Sequence, residues 1–232
     1  MVSEIMLQQT QVQRVVPKYQ AFLKEFPTIT KLAEASLQEV LLAWSGLGYN
    51  RRAKFLHQAA RIVAQDHDGL FPRTIEELVK LPGIGANTAA AIVTYSFNRP
   101  VIFIETNIRS VYLHHFFKDQ INVHDKEILS LVEQTVDQDE PREWYWALMD
   151  YGSYLKSVLP NPSRASKHHI KQSTFEGSRR QVRGQVLRSL AASPKTQAVL
   201  SRQIADERLV EVLVQLSKEG LIRQEGKEFH LG

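Results

Sequence analysis

Residues 81–92 read LPGIGANTAAAI, and this stretch decides the fold around it. Pro82 fixes one backbone φ, while Gly83 and Gly85 can adopt φ values that other residues resist. An amphipathic run over residues 75–79 leads into this turn, and the alanine-rich segment behind it favours a helix. We therefore predict two helices joined by a tight hairpin.

The second helix of this hairpin begins at the turn, so its first N–H groups have no partner within the helix. Such a helix start attracts anions, and a nucleic-acid phosphate is one ligand of that kind. The alternative is that the hairpin serves only as a tight connection between two helices. The rest of the chain is needed to choose between the two.

The composition is that of a soluble globular protein. The chain has 232 residues, 43% hydrophobic and 23% charged, which is enough for two domains. It has no apolar run of membrane-spanning length and no opening secretory signal, so we expect no membrane partner and a cytoplasmic, bacterial-type, nucleoid-associated protein. The absence of cysteine excludes disulfides and any cysteine-ligated zinc or iron–sulfur cluster.

The net charge of +4 is unevenly distributed. Residues 1–160 hold 16 Lys+Arg and 18 Asp+Glu, whereas residues 161–232 hold 13 and 7. Between Asn161 and Arg188 there are seven basic residues and one acid, Glu176. This patch is typical of a surface that meets phosphate backbones, and the alternative is a solvated basic linker.

Apolar residues at helical spacing predict an all-α bundle over the first two thirds of the chain. We predict a helix over residues 1–26 with a kink or break just before Pro17. A second helical unit covers residues 30–44, in which Ser36 and Glu39 form a capping box. The other predicted helices cover residues 51–65, the alanine-rich run from residue 86, the segment after residue 105, and residues 126–135 and 143–157.

The last third of the chain has a different pattern. We predict one domain over residues 1–160, a basic linker over residues 161–178 and a second domain over residues 179–232. Three helices and then a two-stranded hairpin with a turn at Glu225-Gly226 predict a winged-helix-like module. Its third helix, which begins near Asp206, carries more acids than bases, so protein contact or packing is favoured there over reading DNA. The three helices are predicted over residues 179–192, 196–204 and 206–218.

Two further stretches give the hairpin its context. Residues 4–12 read EIMLQQTQV, and residues 44–49 read WSGLGY. The hairpin resembles the helix-hairpin-helix of the HhH-GPD superfamily of DNA base-excision glycosylases. The other two stretches look like the first core helix and the wedge turn of MutY-type adenine glycosylases. The resemblance covers about residues 3–156 and implies an all-α HhH-GPD glycosylase bundle; endonuclease III is the next relative.

The chemistry of this family implies two catalytic carboxyl groups. Breaking an N-glycosidic bond develops positive charge on the sugar and negative charge on the leaving base, so a carboxylate is needed near the sugar and an acid near the base. The family's acid matches Glu4. Its sugar-side carboxylate matches Glu105, which follows an apolar run over residues 101–104 that we expect to be extended and buried. The alternatives are an exposed glutamate at 4 and a helix-dipole carboxylate at 105.

The target base must also leave the helical stack, and other side chains must fill the gap. By resemblance, this role falls to Gln8, Gln9 and Tyr49, which we call the wedge residues. The remaining predicted DNA-binding residues lie in the hairpin and in the basic segment. They are Leu81, Gly83, Gly85, Asn87 and Thr88 in the hairpin, and Arg164, Lys167 and Lys171 in the basic segment.

The chain departs from the family pattern at several points. Glu105 stands where the family normally has aspartate, and its carboxylate reaches one methylene farther. Bifunctional members carry a lysine nucleophile where this chain has Asn87, whose amide cannot form a Schiff base, so we predict a glycosylase without lyase activity. The cysteines that hold the family's iron–sulfur cluster, normally after the region of Lys156, are absent, so we predict no cofactor.

We therefore predict a monofunctional DNA glycosylase that acts as a monomer on double-stranded DNA with a lesion or mismatch. The resemblance implies adenine opposite 8-oxoguanine or guanine as the leading substrate. The alternatives are a non-catalytic relative that binds damaged DNA, and a same-fold glycosylase for uracil, hypoxanthine, mismatched thymine or an alkylated base. The family has a segment before its first core helix, so we expect a truncated or different start here.

Overall fold

The computed structural model describes residues 1–170 and 173–232, so the predicted DNA-binding residue Lys171 lies outside the described residues. These residues form two compact units. Unit 1 comprises Met1–Pro72, Leu81–Gly83 and Ser173–Gly232. Unit 2 comprises Arg73–Lys80 and the described residues from Ile84 onward to Ile170.

The first part of unit 1 is helical, as its apolar spacing predicts. Its core is built from large buried side chains that include Phe22, Trp44 and Leu56. Phe22 and Trp44 meet edge to face with their ring centroids 6.1 Å apart. The helices are α1 (Val2–Leu7), α2 (Val12–Glu25), α3 (Ile29–Glu34), α4 (Leu37–Ala43) and α5 (Arg51–Asp66).

Within the helix predicted over residues 1–26, the break predicted just before Pro17 is wrong in its position. The break lies between α1 and α2, where Gln9 has a left-handed φ of 54°, and Pro17 is accommodated inside α2. The carbonyl oxygens of Met6 and Gln8 accept hydrogen bonds from Arg52, a distant residue, so they are drawn out of the helical ladder. The contact with Arg52 therefore ends α1, and Pro17 does not break the helix in which it lies.

The predicted capping box at Ser36 is confirmed. Ser36 Oγ accepts a hydrogen bond from the Glu39 N–H at 3.2 Å, and Glu39 Oε2 accepts from the Ser36 N–H at 2.7 Å. Because this box starts a new helix, the helical unit predicted over residues 30–44 is divided into α3 and α4.

Unit 2 is a helical bundle in which the helix Thr106–Phe116 lies along the helix Pro141–Val158. Its core includes Phe103, Ile108, Ile128 and Tyr145, all of them at most 1% exposed. Its elements are α6 (Ile75–Leu78), α7 (Ala86–Phe97), α8 (Thr106–Phe116), α9 (Asp125–Thr135), α10 (Pro141–Val158) and a 3-10 turn (Pro162–Ala165). Within this unit α6 packs against α7, which gives the two helices of the predicted hairpin.

The start of the basic segment, residues 161–170, belongs to unit 2 and packs within it. Ser163, in the 3-10 turn, is buried, and its Oγ lies 2.7 Å from Ser110 Oγ and donates to the Thr106 carbonyl at 3.2 Å. The Lys167 N–H donates to the Val123 carbonyl at 3.0 Å. Residues 161–170 are thus tied to α8 and to the segment before α9.

The last part of unit 1 has the winged-helix order that the sequence predicts. The elements are α11 (Arg179–Ala192), β1 (Lys195–Thr196), α12 (Gln197–Gln203), α13 (Leu209–Lys218), β2 (Ile222–Glu225) and β3 (Glu228–Leu231). The three strands form an antiparallel sheet of order β1-β3-β2. The strand β1 was not predicted, because two residues are too short to show an alternating pattern.

This module is attached to α5 within unit 1. Lys54 Nζ donates to the carbonyl of Glu219, which caps the C-terminal end of α13, and a cation is favourable at that end of a helix. The Glu219 carboxylate also pairs with Arg183 of α11 at 2.5 Å. Gly220 has a φ of 63°, and a Cβ there would lie 2.7 Å from Lys54 Nζ. These contacts fix α11 relative to α5.

Candidate active site

The wedge turn in unit 1 is built from backbone conformations that few sequences allow. Gly46, Gly48 and Tyr49 have positive φ values of 93°, 73° and 46°. Glycine adopts such values at little cost, whereas tyrosine requires support from its surroundings. Trp44 Nε1 supplies part of it by donating to the Gly48 carbonyl at 3.1 Å. The turn thereby presents the Tyr49 side chain, which is 39% exposed.

Arg52 joins this turn to the end of α1. The guanidinium is buried, with the residue 9% exposed, and lies 5.5 Å from the centroid of the Tyr49 ring. Burial lowers the pKa of Arg52 to about 10, so the group is still charged at neutral pH. Its acceptors are the carbonyls of Ile5, Met6 and Gln8 at 2.7, 2.9 and 2.7 Å, those of Leu47 and Gly48 at 3.3 and 3.1 Å, and Thr10 Oγ1 at 3.0 Å.

Unit 1 therefore holds the wedge residues in one network. Gln8 ends α1, Gln9 is exposed with its φ of 54°, and Tyr49 lies under the same guanidinium that binds Gln8. Glu4 lies in the first turn of α1, one turn before Gln8, and is half-buried. No role was predicted for Arg52 from the sequence, so its binding of both segments was missed. The available signal was a charged residue on the apolar face of α5.

Unit 2 places Glu105 at the cap position of α8. Its backbone is extended, with φ −117° and ψ 169°, and its side chain is half-buried. Burial raises the pKa of Glu105, and the charge of Arg109, one turn along α8, lowers it in part. Arg109 binds Asp125 through two hydrogen bonds of 2.8 and 2.6 Å, so its charge is already compensated. Neither Arg109 nor Asp125 was singled out from the sequence.

The segment before Glu105 is held without belonging to a sheet. Residues 101–104, predicted to be extended and buried, belong to no helix or strand, and of these residues only Phe103 and Ile104 are buried. Tyr145 Oη accepts from the Phe103 N–H at 3.3 Å and donates to the Val101 carbonyl at 2.8 Å. These two bonds, made by one buried hydroxyl, replace the ladder that a strand partner would provide.

Asn87 fixes the last residue before Glu105. Its Nδ2 donates to the Ile104 carbonyl at 3.1 Å, which connects the first turn of α7 to the segment that carries Glu105. Asn87 itself is exposed, and Thr88 beside it is half-buried. The amide at this position thus has a structural partner in unit 2 in addition to any contact with DNA.

The two glycines of the hairpin turn differ in their backbone. Gly83 has a φ of 78°, and a Cβ there would lie 2.7 Å from Phe55 Cβ, so both conformation and space require glycine. Gly85 has an ordinary φ of −87° and caps α7, so of these two glycines only Gly83 uses the conformational freedom of glycine. A Cβ on Gly85 would meet open space, which leaves its backbone accessible. Leu81 is 3% exposed, so any DNA contact at this position would use its backbone.

The basic side chains between Asn161 and Arg188 are of two kinds. Arg164 and Lys167 are exposed, and Lys167 Nζ lies 3.3 Å from His124 Nε2. By contrast, the arginines at the start of α11 have partners inside unit 1: Arg179 with Glu211 at 3.0 Å, Arg180 with Tyr49 at 2.9 Å and Arg183 with Glu219 at 2.5 Å.

Residues 2–137 match the family described as HhH-GPD superfamily base excision DNA repair protein. The chain belongs to this superfamily. The match includes Glu4, the hairpin and Glu105 and ends before the winged-helix-like module. Three curated proteins named adenine DNA glycosylase illustrate the similarity within the HhH-GPD family. Those of Buchnera aphidicola subsp. Baizongia pistaciae, Mycolicibacterium smegmatis and Homo sapiens are 39%, 46% and 36% identical over 66%, 48% and 66% of this chain.

This HhH-GPD chain spans less than half the length of those relatives, covering 44%, 38% and 29% of them. Solved structures agree with the fold. A thermostable thymine-DNA glycosylase superposes with a TM-score of 0.58 at 25% identity, covering 66% of this chain and 71% of that one. A trapped endonuclease III–DNA covalent intermediate gives a TM-score of 0.52 at 20% identity, over 75% and 76%. The predicted HhH-GPD fold is confirmed.

The residues of this HhH-GPD chain do not provide the ligands for an iron–sulfur cluster. Such clusters are held by cysteine thiolates, and the chain has no cysteine. Over residues 1–170 and 173–232, the structure also contains no group of three His, Asp or Glu side chains that could hold a metal ion. In the same described residues, none of the helices combines the length and apolar character needed to cross a membrane.

Gly152 provides a test of how α10 positions the candidate site. A Cβ at Gly152 would overlap the backbone of Asn107, two residues after Glu105, because α10 and α8 touch there. We expect Gly152→Ala to lower the free energy of unfolding by about 1–3 kcal/mol, the usual effect of overpacking. Urea denaturation would measure this, with Ser153→Ala, at the exposed neighbouring position, as control. Equal stability of the two variants would contradict the close contact.

Proposed function

We propose that this protein is a monofunctional DNA glycosylase that excises adenine opposite 8-oxoguanine or guanine in double-stranded DNA, acting as a monomer. The observation that carries the proposal is the placement of Glu105, a half-buried carboxylate at the start of α8 with a raised pKa. Carboxyl groups with shifted pKa values are characteristic of catalytic sites. Relatives named adenine DNA glycosylase support the choice of base.

In this proposal Glu105 stabilises the positive charge that develops on the sugar as the glycosidic bond breaks. A carboxylate that is partly removed from water interacts more strongly with a nearby cation than a solvated one does. The bonds that Tyr145 and Asn87 make to residues 101–104 hold it ready, so little reorganisation accompanies the reaction. Water then attacks the sugar and leaves an abasic site.

Glu4 is proposed to donate the proton that the leaving base needs. A neutral base leaves more readily than an anionic one, so a carboxylic acid near the base accelerates the cleavage. Asn87 provides no amine, which supports hydrolysis without a covalent Schiff base and therefore without strand cleavage.

DNA binding is proposed to use three groups of residues. The open backbone at Gly85 and the start of α7 bind one phosphate, and the exposed Arg164 and Lys167 bind others. Gln8, Gln9 and Tyr49 fill the gap left by the flipped base. Because several phosphates are neutralised, we expect the affinity to fall steeply with salt concentration.

A panel of labelled duplexes tests this function. It contains adenine opposite 8-oxoguanine and opposite guanine, together with uracil, hypoxanthine, a thymine–guanine mismatch and an alkylated base. Each is incubated with wild-type protein and with Glu4→Gln, then analysed with and without hot alkali. We expect strand breaks only after alkali and only with the adenine duplexes, and a large loss of rate in Glu4→Gln.

The other outcomes identify the alternatives. Strand breaks without alkali would show lyase activity and refute a monofunctional enzyme. Excision from the thymine–guanine duplex alone would favour the second candidate, a thymine glycosylase, which the similarity to the thymine-DNA glycosylase structure supports. Tight binding with no excision from any duplex would indicate a non-catalytic DNA-binding protein.

A further inference from the structure

Arg180 connects the C-terminal part of unit 1 to the wedge turn. Its Nη1 donates a hydrogen bond to Tyr49 Oη at 2.9 Å, across 131 positions of the chain. Its Nη2 donates to the carbonyls of Ser173 and Thr174 at 2.6 and 3.3 Å and to Ser173 Oγ at 3.2 Å. One guanidinium therefore binds the hydroxyl of a wedge residue and the backbone that leads into α11.

The Tyr49 side chain is constrained at both ends. Its backbone is fixed in the left-handed region, and the Arg52 guanidinium lies over its ring at 5.5 Å from the centroid. The bond from Arg180 fixes the hydroxyl at the opposite end of the ring. A tyrosine that is 39% exposed would otherwise sample several rotamers, and ordering it on DNA would cost conformational entropy.

The start of α11, where Arg180 lies, is held by hydrogen bonds within unit 1. Ser178 caps α11 by accepting from the Gln181 N–H, and Gln181 Oε1 accepts from the Gly177 N–H at 2.7 Å. Arg208 Nη2 donates to the Gly177 carbonyl at 3.0 Å, which ties the loop to the start of α13. The backbone that carries Arg180 is thus held to the winged-helix-like module.

We propose that Arg180 is a positioning residue that holds the Tyr49 side chain in the orientation needed to enter the duplex. The proposal rests on the wedge role assigned to Tyr49 under the proposed function. It also gives the winged-helix-like module a task in the reaction, because that module places Arg180. Arg180 acts through the tyrosine hydroxyl, and its Nη atoms already have acceptors within the protein, which argues against a primary phosphate contact.

The test is a double-mutant cycle between Arg180 and Tyr49, using wild type, Arg180→Ala, Tyr49→Phe and the double variant. The probe is a duplex with 8-oxoguanine opposite adenine and 2-aminopurine beside the adenine, whose fluorescence rises when it is unstacked. Fluorescence of the bound duplex and the single-turnover excision rate are both measured at saturating protein, so that weaker binding does not contribute. Thermal unfolding and the salt dependence of binding are recorded for each variant.

We expect Arg180→Ala to lower the excision rate about tenfold and to reduce the fluorescence gain, since a charge-assisted hydrogen bond is lost. In the Tyr49→Phe background the same substitution should change either signal by less than about twofold, because the hydroxyl is already absent. Arg180→Lys should not rescue the rate, since a single ammonium cannot bind both Tyr49 and residues 173–174.

The matched control is Arg179→Ala, which removes the same charge from the adjacent position. Arg179 pairs with Glu211 at 3.0 Å in an exposed ion pair, so we expect less than about a twofold change.

Equal effects of Arg180→Ala in both backgrounds, with rescue by lysine and a reduced salt dependence, would identify a phosphate contact and overturn the proposal. No fluorescence gain with wild-type protein would also overturn it. If wild-type protein excises no base, the proposed function fails, while the fluorescence cycle still decides whether Arg180 positions Tyr49.

Discussion

Glu105→Gln is expected to lower the single-turnover rate of base excision by about 10²–10³-fold, the usual cost of removing a preorganised group that stabilises transition-state charge. Glutamine keeps the shape of the side chain but lacks the negative charge. Duplex binding should change little, because Glu105 stabilises a positive charge on the sugar that develops only during bond cleavage. The rate is measured with excess protein on the duplex that the substrate panel identifies.

Glu105→Asp is the matched variant for this prediction. It keeps the charge and restores the shorter side chain typical of the family, so we expect it to retain far more activity than Glu105→Gln. A Glu105→Gln rate within about threefold of wild type would show that the carboxylate has no catalytic role and only interacts with the dipole at the start of α8.

The pH dependence should follow from the raised pKa of Glu105. The carboxylate acts as an anion, and burial makes protonation occur above pH 4.5, the ordinary value for glutamate. The excision rate should therefore fall on acidification at a higher pH than an exposed glutamate would dictate. As a control, Glu105→Gln should not show this fall in rate, because glutamine does not titrate.

The raised pKa of Glu105 also affects the free energy of unfolding. Here acidification is favourable, whereas it lowers the excision rate. A raised pKa in the folded protein means that the protonated form is favoured on folding, so the stabilisation is present at low pH and is lost as pH rises through the folded pKa. Glu105→Gln should accordingly be more stable than wild type at neutral pH, and the difference should vanish below pH 4. Urea denaturation at both pH values would measure it.

The second large effect is expected for Arg52→Met, which should lower the free energy of unfolding by about 3–5 kcal/mol. The methionine leaves the carbonyls at the end of α1 and in the wedge turn without their buried donor. Arg52→Lys should recover little, because one nitrogen cannot reach both segments. Urea unfolding followed by circular dichroism would measure all three proteins.

Arg51→Met is the control at the adjacent, exposed position. Its guanidinium lies over the Phe55 ring at 5.3 Å, an exposed contact whose loss should cost less than about 1 kcal/mol. If Arg52→Met were no more destabilising than Arg51→Met, the network around Arg52 would not be a stabilising one.

Local signals in the sequence were sufficient to predict most helices and the hairpin. The capping box of Ser36 with Glu39 and the Pro82–Gly83 turn each depend on residues a few positions apart, and the structure follows both predictions. Where the sequence analysis was wrong, a distant contact had the larger effect. The break after α1 depends on Arg52, some 45 positions away, and β1 depends on pairing with β3.

The candidate site divides in the same way. Motif resemblance was enough to select Glu4, Glu105 and the wedge residues as candidates. Their supports were not visible, because Tyr145 and Arg180 act through contacts between segments that periodicity does not relate. Asn87 shows the limit of assigning roles from a family motif one residue at a time. Its side chain donates a hydrogen bond to the Ile104 carbonyl, which no motif predicts.

Unit 1 is built from segments that lie far apart in the sequence, and this sets an order of folding. Unit 2 takes most of its residues from one continuous stretch, so it can fold as that stretch leaves the ribosome. Unit 1 combines Met1–Pro72 with Ser173–Gly232, and its bond from Lys54 to Glu219 spans 165 positions. Contacts of such long range form late. The wedge turn is thus synthesised early, yet its tyrosine acquires its arginine partner only after translation has passed residue 180.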